Sequence, residues 1–394
     1  MPRIKKEKLG LSITDLPGKG EELVFDSPLM TKIGNSLQAK FGQHAFYRAT
    51  GQFDPRRIPT GIFALDRYLG GGVPVNRITL INGWKATYKS LRATKIIANY
   101  QMRCSRCLML DAMCTCSEGI LKRFVYYNDV EKRSNESHMV RAGVNPDTLI
   151  MGQPLYGEEA CEVTEEVAKS GEVGLIVVDS LAALAGKDEI ESGYTDSISR
   201  GIRARLIARM CRALISLINR AKNPCTVIAI NHLLPLQNGA GSYLPGGDTQ
   251  KYLSTVVLNF SPLARERTKV SKEGEENTVK FDANRKPILE EKTGVKKQKM
   301  SWLIEHSAIC PENISGEFMM FLEEEDGVRF GDADDWLTVF LYGQQAGLIE
   351  QNEKEAWVVE GIEGAFKTQK AIFDIWKNDP VAFATFKEQL AYAR

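Results

Sequence analysis

No run of apolar residues in this chain reaches the roughly 20 that a membrane-crossing helix requires. The longest stretch, from Leu175 to Leu184, is broken by Asp179, and a helical membrane protein is excluded. The amino-terminal MPRIKKEKLGL is basic but has neither the apolar segment nor the small-residue cleavage site of a secretory signal, so cytoplasmic residence is the expectation. Internal repeats and long low-complexity tracts are also missing, which sets aside a repeat array. Net charge is almost absent: 51 basic against 50 acidic side chains leave +1. On that average a nucleic-acid partner is disfavoured.

The average conceals a division. Residues 1–299 hold 44 basic and 32 acidic groups, net +12, while residues 300–394 hold 7 and 18, net −11. A basic body with an acidic end is a signal of nucleic-acid contact, with a module that competes with the polyanion; two domains that differ by drift would look the same. A composition 43% hydrophobic and 26% charged supplies a large core and excludes a largely disordered chain. At 394 residues the chain is too long for one ordinary domain and suits a core of about 200 with additions at each end.

Periodicity orders the middle. Leu29, Met30, Ile33, Leu37 and Phe41 recur at helical spacing, predicting a short amphipathic helix outside the core that packs either on that core or on a neighbouring subunit. From Arg77, ITLING reads as a buried strand and Ser90 to Tyr100 as the helix after it. Phe124–Tyr127, Thr148–Met151, Gly174–Val178 and Thr226–Ile230 are further short strands, with helices over Gly157–Lys169 and Ser199–Arg220. This alternation predicts an α/β fold with a mostly parallel sheet. In the last of those helices Leu206, Ile207, Met210, Cys211, Leu214, Ile215 and Ile218 form the buried stripe, and Arg203, Arg205, Arg209 and Arg212 lie mostly off it. After a charged, turn-rich stretch SWLIE resumes as a strand, and from about Gly331 an acidic unit mixes helix with the strand-like WVVEG and ends in a helix through Phe383, Phe386 and Leu390.

Between the first core strand and its helix lies Gly83-Trp84-Lys85-Ala86-Thr87-Tyr88-Lys89-Ser90, which nearly fits GxxxxGK[ST]. A tight turn there brings backbone N–H groups and the amino end of the helix around a polyphosphate. Lys89 supplies a point charge to the β and γ groups, and Ser90 a Mg²⁺ ligand. Tyr88 stands where the motif has glycine, and a bulky residue restricts the loop's approach to phosphate; an ordinary strand-to-helix turn is the alternative. LIVVDS puts Asp179 at the carboxyl end of a buried strand, where ligands collect in parallel sheets and where a carboxylate orders Mg²⁺ water. The two elements together predict a nucleotide site.

In order and spacing, IPTGIFALDRYLGGGVPVNRITLINGW, VYYNDVE, GQPLYGEEACE, LIVVDSLAALAGKDEI, INHLL, PGGDTQKY and AGLIEQNEKEAW resemble the RecA family of DNA recombinases over most of the chain. The UvsX-like phage branch is the nearest resemblance, since it similarly carries an aromatic in the place of Tyr88. The resemblance implies an amino-terminal arm and polymerisation helix over 1–55, a RecA-like P-loop ATPase core over 56–305, and a small acidic α+β domain over 306–394; the core also carries a Cys-rich insertion at 104–116 that the resemblance does not supply. It implies that Glu131 orients and deprotonates the attacking water and that His138 stacks on adenine. His232 would sense the γ-phosphate and report to the segment after it. Lys292 would complete a neighbouring subunit's site in trans, with Lys296, Lys297 and Lys299 as rivals. Glu189–Ser199 and Leu233–Leu244 fall where the family has its DNA loops: Leu234 or Leu236 would wedge between bases and the N–H groups of Gly246 and Gly247 would hold phosphates. Arg205 and Arg212, with Arg200 and Arg203, would face the DNA backbone. The implied activity is ATP- and Mg²⁺-dependent homologous recombination, in which a helical filament on single-stranded DNA searches double-stranded DNA and exchanges strands. Loader and single-strand-binding proteins are implied partners, a membrane is not, and the location is a bacterial or phage-infected host cytosol. The alternatives are a RecA-fold ring helicase or repair translocase, and a filament-forming DNA coat or mediator with weak ATPase.

The resemblance leaves four cysteines unassigned. Cys104-x-x-Cys107 and Cys114-x-Cys116 share a 13-residue window, in which evenly spread cysteines would number about 0.3. Such spacings suit tetrahedral thiolate ligation, and a reducing cytosol disfavours disulfides. Structural zinc is the expectation; free thiols or a redox role are the alternatives. Cys161, Cys211, Cys225 and Cys310 read as core residues.

Overall fold

The structure, a computed structural model, describes residues 24–42, 56–191, 201–220, 225–236, 241–263, 297–324 and 327–392. Helix α1 (Pro28–Phe41) begins as its sequence directs: Ser27 Oγ accepts from the Met30 N–H at 3.4 Å and Pro28 occupies the first turn, where no amide is needed. Its apolar face is turned outward, with Leu29 66% and Phe41 53% exposed and Met30 and Ile33 also open. Of the two expectations for this helix, packing on the chain's own core is not met.

A small ribbon of β1 (Arg57–Ile58) and β2 (Val73–Pro74) flanks α2 (Phe63–Tyr68). The core elements follow as β3 (Ile78–Gly83), α3 (Lys89–Gln101), β4 (Phe124–Asp129), α4 (Glu136–Arg141), β5 (Leu149–Gly152), α5 (Gly157–Ser170) and β6 (Val173–Asp179). Next come α6 (Lys187–Glu191), α7 (Ile202–Arg220), β7 (Thr226–His232), β8 (Leu234–Pro235), β9 (Ser242–Tyr243), α8 (Thr249–Leu253), β10 (Val256–Pro262), β11 (Lys297–Ser307) and β12 (Ile314–Phe321). An eight-stranded sheet runs in the order β12-β11-β10-β3-β7-β6-β4-β5. The strands from β10 to β5 are parallel, and β11 and β12 extend them antiparallel.

β3 and β6 are buried at every position because helices cover both faces of the sheet. On one face Ile81, Val125, Val177 and Ile230 pack with Ile62, Leu65 and Ile97; on the other Leu80, Ile176, Val178 and Ala229 pack with Ala160, Met210 and Leu214. The predicted stripe of α7 is thus the one that meets the sheet. The sheet also continues past residue 305, where the sequence suggested that the core ends. The cause is the period-two burial of Gln298, Met300, Trp302 and Ile304 along β11, which seats that strand and then β12 in the main sheet.

Helices α9 (Trp336–Gln345), α10 (Gln369–Asn378) and α11 (Pro380–Tyr392), with the hairpin β13 (Ile349–Gln351)–β14 (Trp357–Val359), build the last lobe. It has its own cluster of Val339, Phe340, Ile372, Trp376, Phe386 and Leu390, and Phe63 of α2 inserts into it. In the main sheet, parallel register sets Gly83 of β3 opposite His232 of β7 and Asp129 of β4 opposite Asp179 of β6. The carboxyl ends of four adjacent strands therefore lie side by side, the usual place for a ligand in such sheets.

Candidate functional site

The loop from Gly83 to Ser90 crosses from β3 to α3 at that edge. Gly83 has no room for a side chain: an added Cβ would lie 2.5 Å from Thr87 Oγ1 and 2.6 Å from the Phe260 carbonyl oxygen. Thr87 Oγ1 donates to the Trp84 carbonyl at 2.9 Å and curls the loop, leaving Trp84, Lys85 and Ala86 at its exposed rim. Ala86 and Tyr88 both adopt left-handed backbone, with φ of 62° and 59°. The loop keeps the conformation that the motif's glycine exists to permit, although Tyr88 must hold it with a side chain. The Tyr88 ring packs against the core cluster.

Lys89 opens α3 with Nζ inside the loop, donating to the carbonyls of Gly83 at 3.0 Å and Trp84 at 2.7 Å. Burial lowers its pKa to about 8, against the opposing pull of Asp179 and Glu131. Its charged form therefore costs the fold stability, a cost that is full below about 8 and is relieved as pH rises from there towards the ordinary lysine range. Ser90 and Asp179 meet across the strand ends: burial pushes the Asp179 carboxyl up, while hydrogen bonds from Tyr127 and Ser90 pull it down. Tyr127 Oη donates to Asp179 Oδ2 at 2.5 Å. A hydroxyl and a carboxylate oxygen at this spot fit a Mg²⁺ ion, which prefers hard oxygen ligands.

Glu131 lies just beyond β4, where its N–H donates to the Asp179 carbonyl at 3.2 Å. Its Oε1 accepts from Ser180 Oγ at 2.5 Å and from His232 Nε2 at 2.7 Å. The His232 hydrogen bond, helped by Ser180, draws the Glu131 pKa down to about 2 against desolvation. The stability this contributes is present above the ordinary carboxyl range and lost as pH falls towards 2. An ionised carboxylate only accepts, so His232 carries a proton on Nε2 in this pair.

His232 is also the near end of a chain of hydrogen bonds. Its N–H donates to Asn231 Oδ1 at 2.8 Å, and Asn231 Nδ2 donates to Gln250 Oε1 at 2.6 Å and to the Pro245 carbonyl at 3.0 Å. Gln250 Nε2 returns bonds of 2.8 Å to the carbonyls of Pro245 and Gly247. The segment with Gly246 and Gly247 is tied in this way to the residue beside Glu131. Both glycines adopt left-handed φ, 88° and 76°, and Leu234 and Leu236 are exposed on the β8–β9 side of the same segment.

Several predicted residues stand elsewhere. His138, on α4, is exposed and its ring centroid lies 6.0 Å from that of Phe330. Arg205 and Arg212 are exposed on α7, whereas Arg203 is half-buried and donates to the Leu184 carbonyl at 2.8 Å. Arg200, Lys292 and Lys296 lie outside the described residues. Lys297 and Lys299 sit on β11 in ion pairs with Asp334 at 2.6 Å and Glu317 at 3.0 Å. Tyr127, Ser180 and Gln250 were not singled out from the sequence. Ser180 follows Asp179 directly and Gln250 lies within PGGDTQKY, so position in known segments was the available signal.

Cys104, Cys107, Cys114 and Cys116 do converge: their four Sγ atoms lie within 4.8 Å of one another, between α3 and β4. Sulfurs at about 2.3 Å from a tetrahedral zinc stand about 3.8 Å apart, and the pairs Cys104–Cys116 and Cys107–Cys114 lie at 4.0 and 3.7 Å. The donor set fits that ion. Cys161, Cys211 and Cys225 are core residues as expected, but Cys310 is only half-buried, its Sγ 3.1 Å from Ser307 Oγ in the β11–β12 turn.

A glycine-bounded phosphate loop, a lysine at a helix start and a strand-end aspartate on a parallel sheet define a nucleotide-binding protein of the P-loop class. The family follows from comparison: a model of the RecA N-terminal domain matches residues 30–293, and the chain belongs to the RecA family. The chain is 35% identical over 212 residues to Protein RecA of Nautilia profundicola, covering 52% of this chain and 55% of that protein. It is 31% identical over 256 residues to Protein RecA of Ruegeria pomeroyi, covering 63% and 68%. The match to Protein RecA of Aquifex pyrophilus is 31% over 255 residues, covering 64% and 68%. The alignments thus span from about half to two thirds of the relatives' lengths.

Proposed function

We propose that this chain is a DNA-dependent ATPase that forms a helical filament on single-stranded DNA and carries out homology search and strand exchange with double-stranded DNA. The observation that carries the proposal is the hydrogen-bonded path Glu131–His232–Asn231–Gln250, which joins the water-orienting carboxylate to the segment holding Leu234, Leu236, Gly246 and Gly247. A group that senses the γ-phosphate at His232 alters, along that path, the loop that would touch DNA.

In the proposed site Lys89 and the N–H groups of residues 84–90 hold the ATP phosphates. Ser90 and Asp179 would hold Mg²⁺, which when bound would neutralise phosphate charge. Glu131 is ionised throughout the neutral range and accepts a hydrogen bond from the attacking water. While His232 donates to it, Glu131 is a poor proton acceptor. When His232 turns towards the γ-phosphate that restraint is lifted, and the carboxylate gains basicity at the moment it is needed. Lys292 of a neighbouring subunit completes the charge around the transferring group, and His138 stacks on adenine. Arg205, Arg212 and Arg200 bind the DNA backbone, so affinity should fall steeply with salt. The outward apolar face of α1 supports subunit-to-subunit docking in the filament.

Tyr88 and His232 favour a place near the UvsX-like phage branch, with the host cytosol as the location and loader and single-strand-binding proteins as partners. Zinc at the four cysteines is part of the same proposal, and metal analysis of the purified chain tests it.

Electron microscopy with and without ATP and single-stranded DNA, paired with ATPase on the same sample, tests the function. Open helical filaments whose ATPase rises with DNA are expected. Closed hexameric rings would replace the reading with a helicase, and filaments with strand exchange but no measurable ATPase would remove its enzymatic part.

A further inference from the structure

The cysteine knuckle is hydrogen-bonded to the far end of the chain. Arg103, the residue before Cys104, is 6% exposed, and its Nη1 donates to the Leu108 carbonyl at 3.0 Å and to Glu388 Oε1 of α11, 285 residues away. Glu388 is also buried, and its second carboxylate oxygen has no hydrogen-bond partner among the described residues. Arg103 is thus the group that compensates a buried negative charge on the last helix.

The knuckle aims that guanidinium. Its turn is closed by Leu108 N–H to the Cys104 carbonyl at 2.7 Å and Cys104 N–H to the Met109 carbonyl at 3.0 Å, and Arg103 bridges Leu110. Leu108 holds a left-handed φ of 59°, which places its carbonyl towards Arg103 at a cost that something must offset. Cys104 and Cys107 lie in this turn, and their sulfurs converge with those of Cys114 and Cys116. On the opposite side Arg56 donates to the Arg106 carbonyl, inside Cys104-x-x-Cys107, and its charge faces Cys107, Cys104 and Cys116. A divalent ion held by four thiolates keeps a net double negative charge, and a half-buried arginine beside it is the expected counter-charge.

Resting on the reading of these cysteines as a zinc site, we propose that the metal controls the docking of the carboxyl-terminal lobe. With metal bound, the knuckle presents Arg103 to Glu388 and seats α11 against the core. Loss of the metal frees the turn, strands the buried carboxylate and releases the lobe.

Hydrogen exchange on the full-length chain tests the clamp, followed in α11 and, as a control, in β6 and β7. Samples are taken with metal as purified, after removal by a zinc chelator, and after zinc is returned. Chelation should speed exchange in α11 by roughly a hundredfold, with β6 and β7 still protected and zinc reversing the change. Glu388→Gln should give the same rise while zinc content stays full. A purified chain holding less than about half an equivalent of zinc would overturn the metal reading and this inference with it. Full zinc occupancy with α11 unmoved by chelation, an unaltered α11 in Glu388→Gln, or β6 and β7 losing protection to the same degree would overturn the clamp alone.

Discussion

Tyr88 pairs a left-handed backbone with a large side chain, a combination that costs about 1–2 kcal/mol. Its ring returns part of that by packing on the core. Tyr88→Gly should therefore leave stability within about 1 kcal/mol of the parent by urea unfolding, with ATP binding retained. Tyr88→Val, β-branched at the same φ, should lose about 2 kcal/mol. A larger loss for glycine than for valine would show that the ring, not the backbone, governs the loop. Lys89 makes a second prediction. Its pKa near 8 means that the nucleotide meets a charged lysine below that pH and an increasingly neutral one above it. ATP affinity should be flat up to about pH 8 and then weaken by up to about tenfold per unit until the pKa of the bound state is reached. Lys89→Met should bind more weakly and show no such break. These two positions were legible in the sequence because a phosphate loop is local: it occupies eight consecutive residues between a strand and a helix. The left-handed φ at Tyr88 was signalled too, by the glycine the motif expects.

Strand β7 and helix α8 together carry the link between Glu131 and the proposed DNA segment. Asn231 is fully buried and satisfied on both sides of its amide. Asn231→Ala should cost about 1–3 kcal/mol of stability and, more tellingly, abolish stimulation of ATPase by DNA while ATP still binds. Stimulation unchanged in a folded variant would move the coupling to another path. The strand and helix pattern that positions these residues was readable from periodicity, and β3, β4, β6, β7, α5 and α7 fall where it placed them to within a few residues. What periodicity does not encode is adjacency. Glu131 and His232 are 101 residues apart, and they meet because β7 enters the sheet between β3 and β6. Gln250 lay within a recognised segment, but its contact was not legible for the same reason: it bonds Asn231 across a turn, and residue type alone says nothing of that.

The whole molecule is a core and a lobe held by a few contacts that cross between them. Phe63 of α2 fills the lobe's aromatic cluster, and Asp335, ahead of α9, accepts from the Phe63 N–H at 2.7 Å. The phosphate-loop helix is fastened to the approach to the lobe as well, through Arg92 to the Gly331 carbonyl and Lys95 to Asp332. Phe63→Ala should lower stability by about 3 kcal/mol in denaturant unfolding and separate the transition of the lobe from that of the core. A single unshifted transition would mean the lobe does not depend on this anchor. The chain by itself determined the class of fold, the phosphate loop, the strand-end aspartate, the charge division and the four-cysteine cluster, because each is written in neighbouring residues or in composition. Only the tertiary structure decided that Glu131 is held by His232, that the core sheet runs on to Phe321, and that Arg103 beside the cysteines faces Glu388 on the last helix. Those facts depend on strand order and on pairs 101 and 285 residues apart, where the contact is set by packing in three dimensions and leaves no pattern along the sequence.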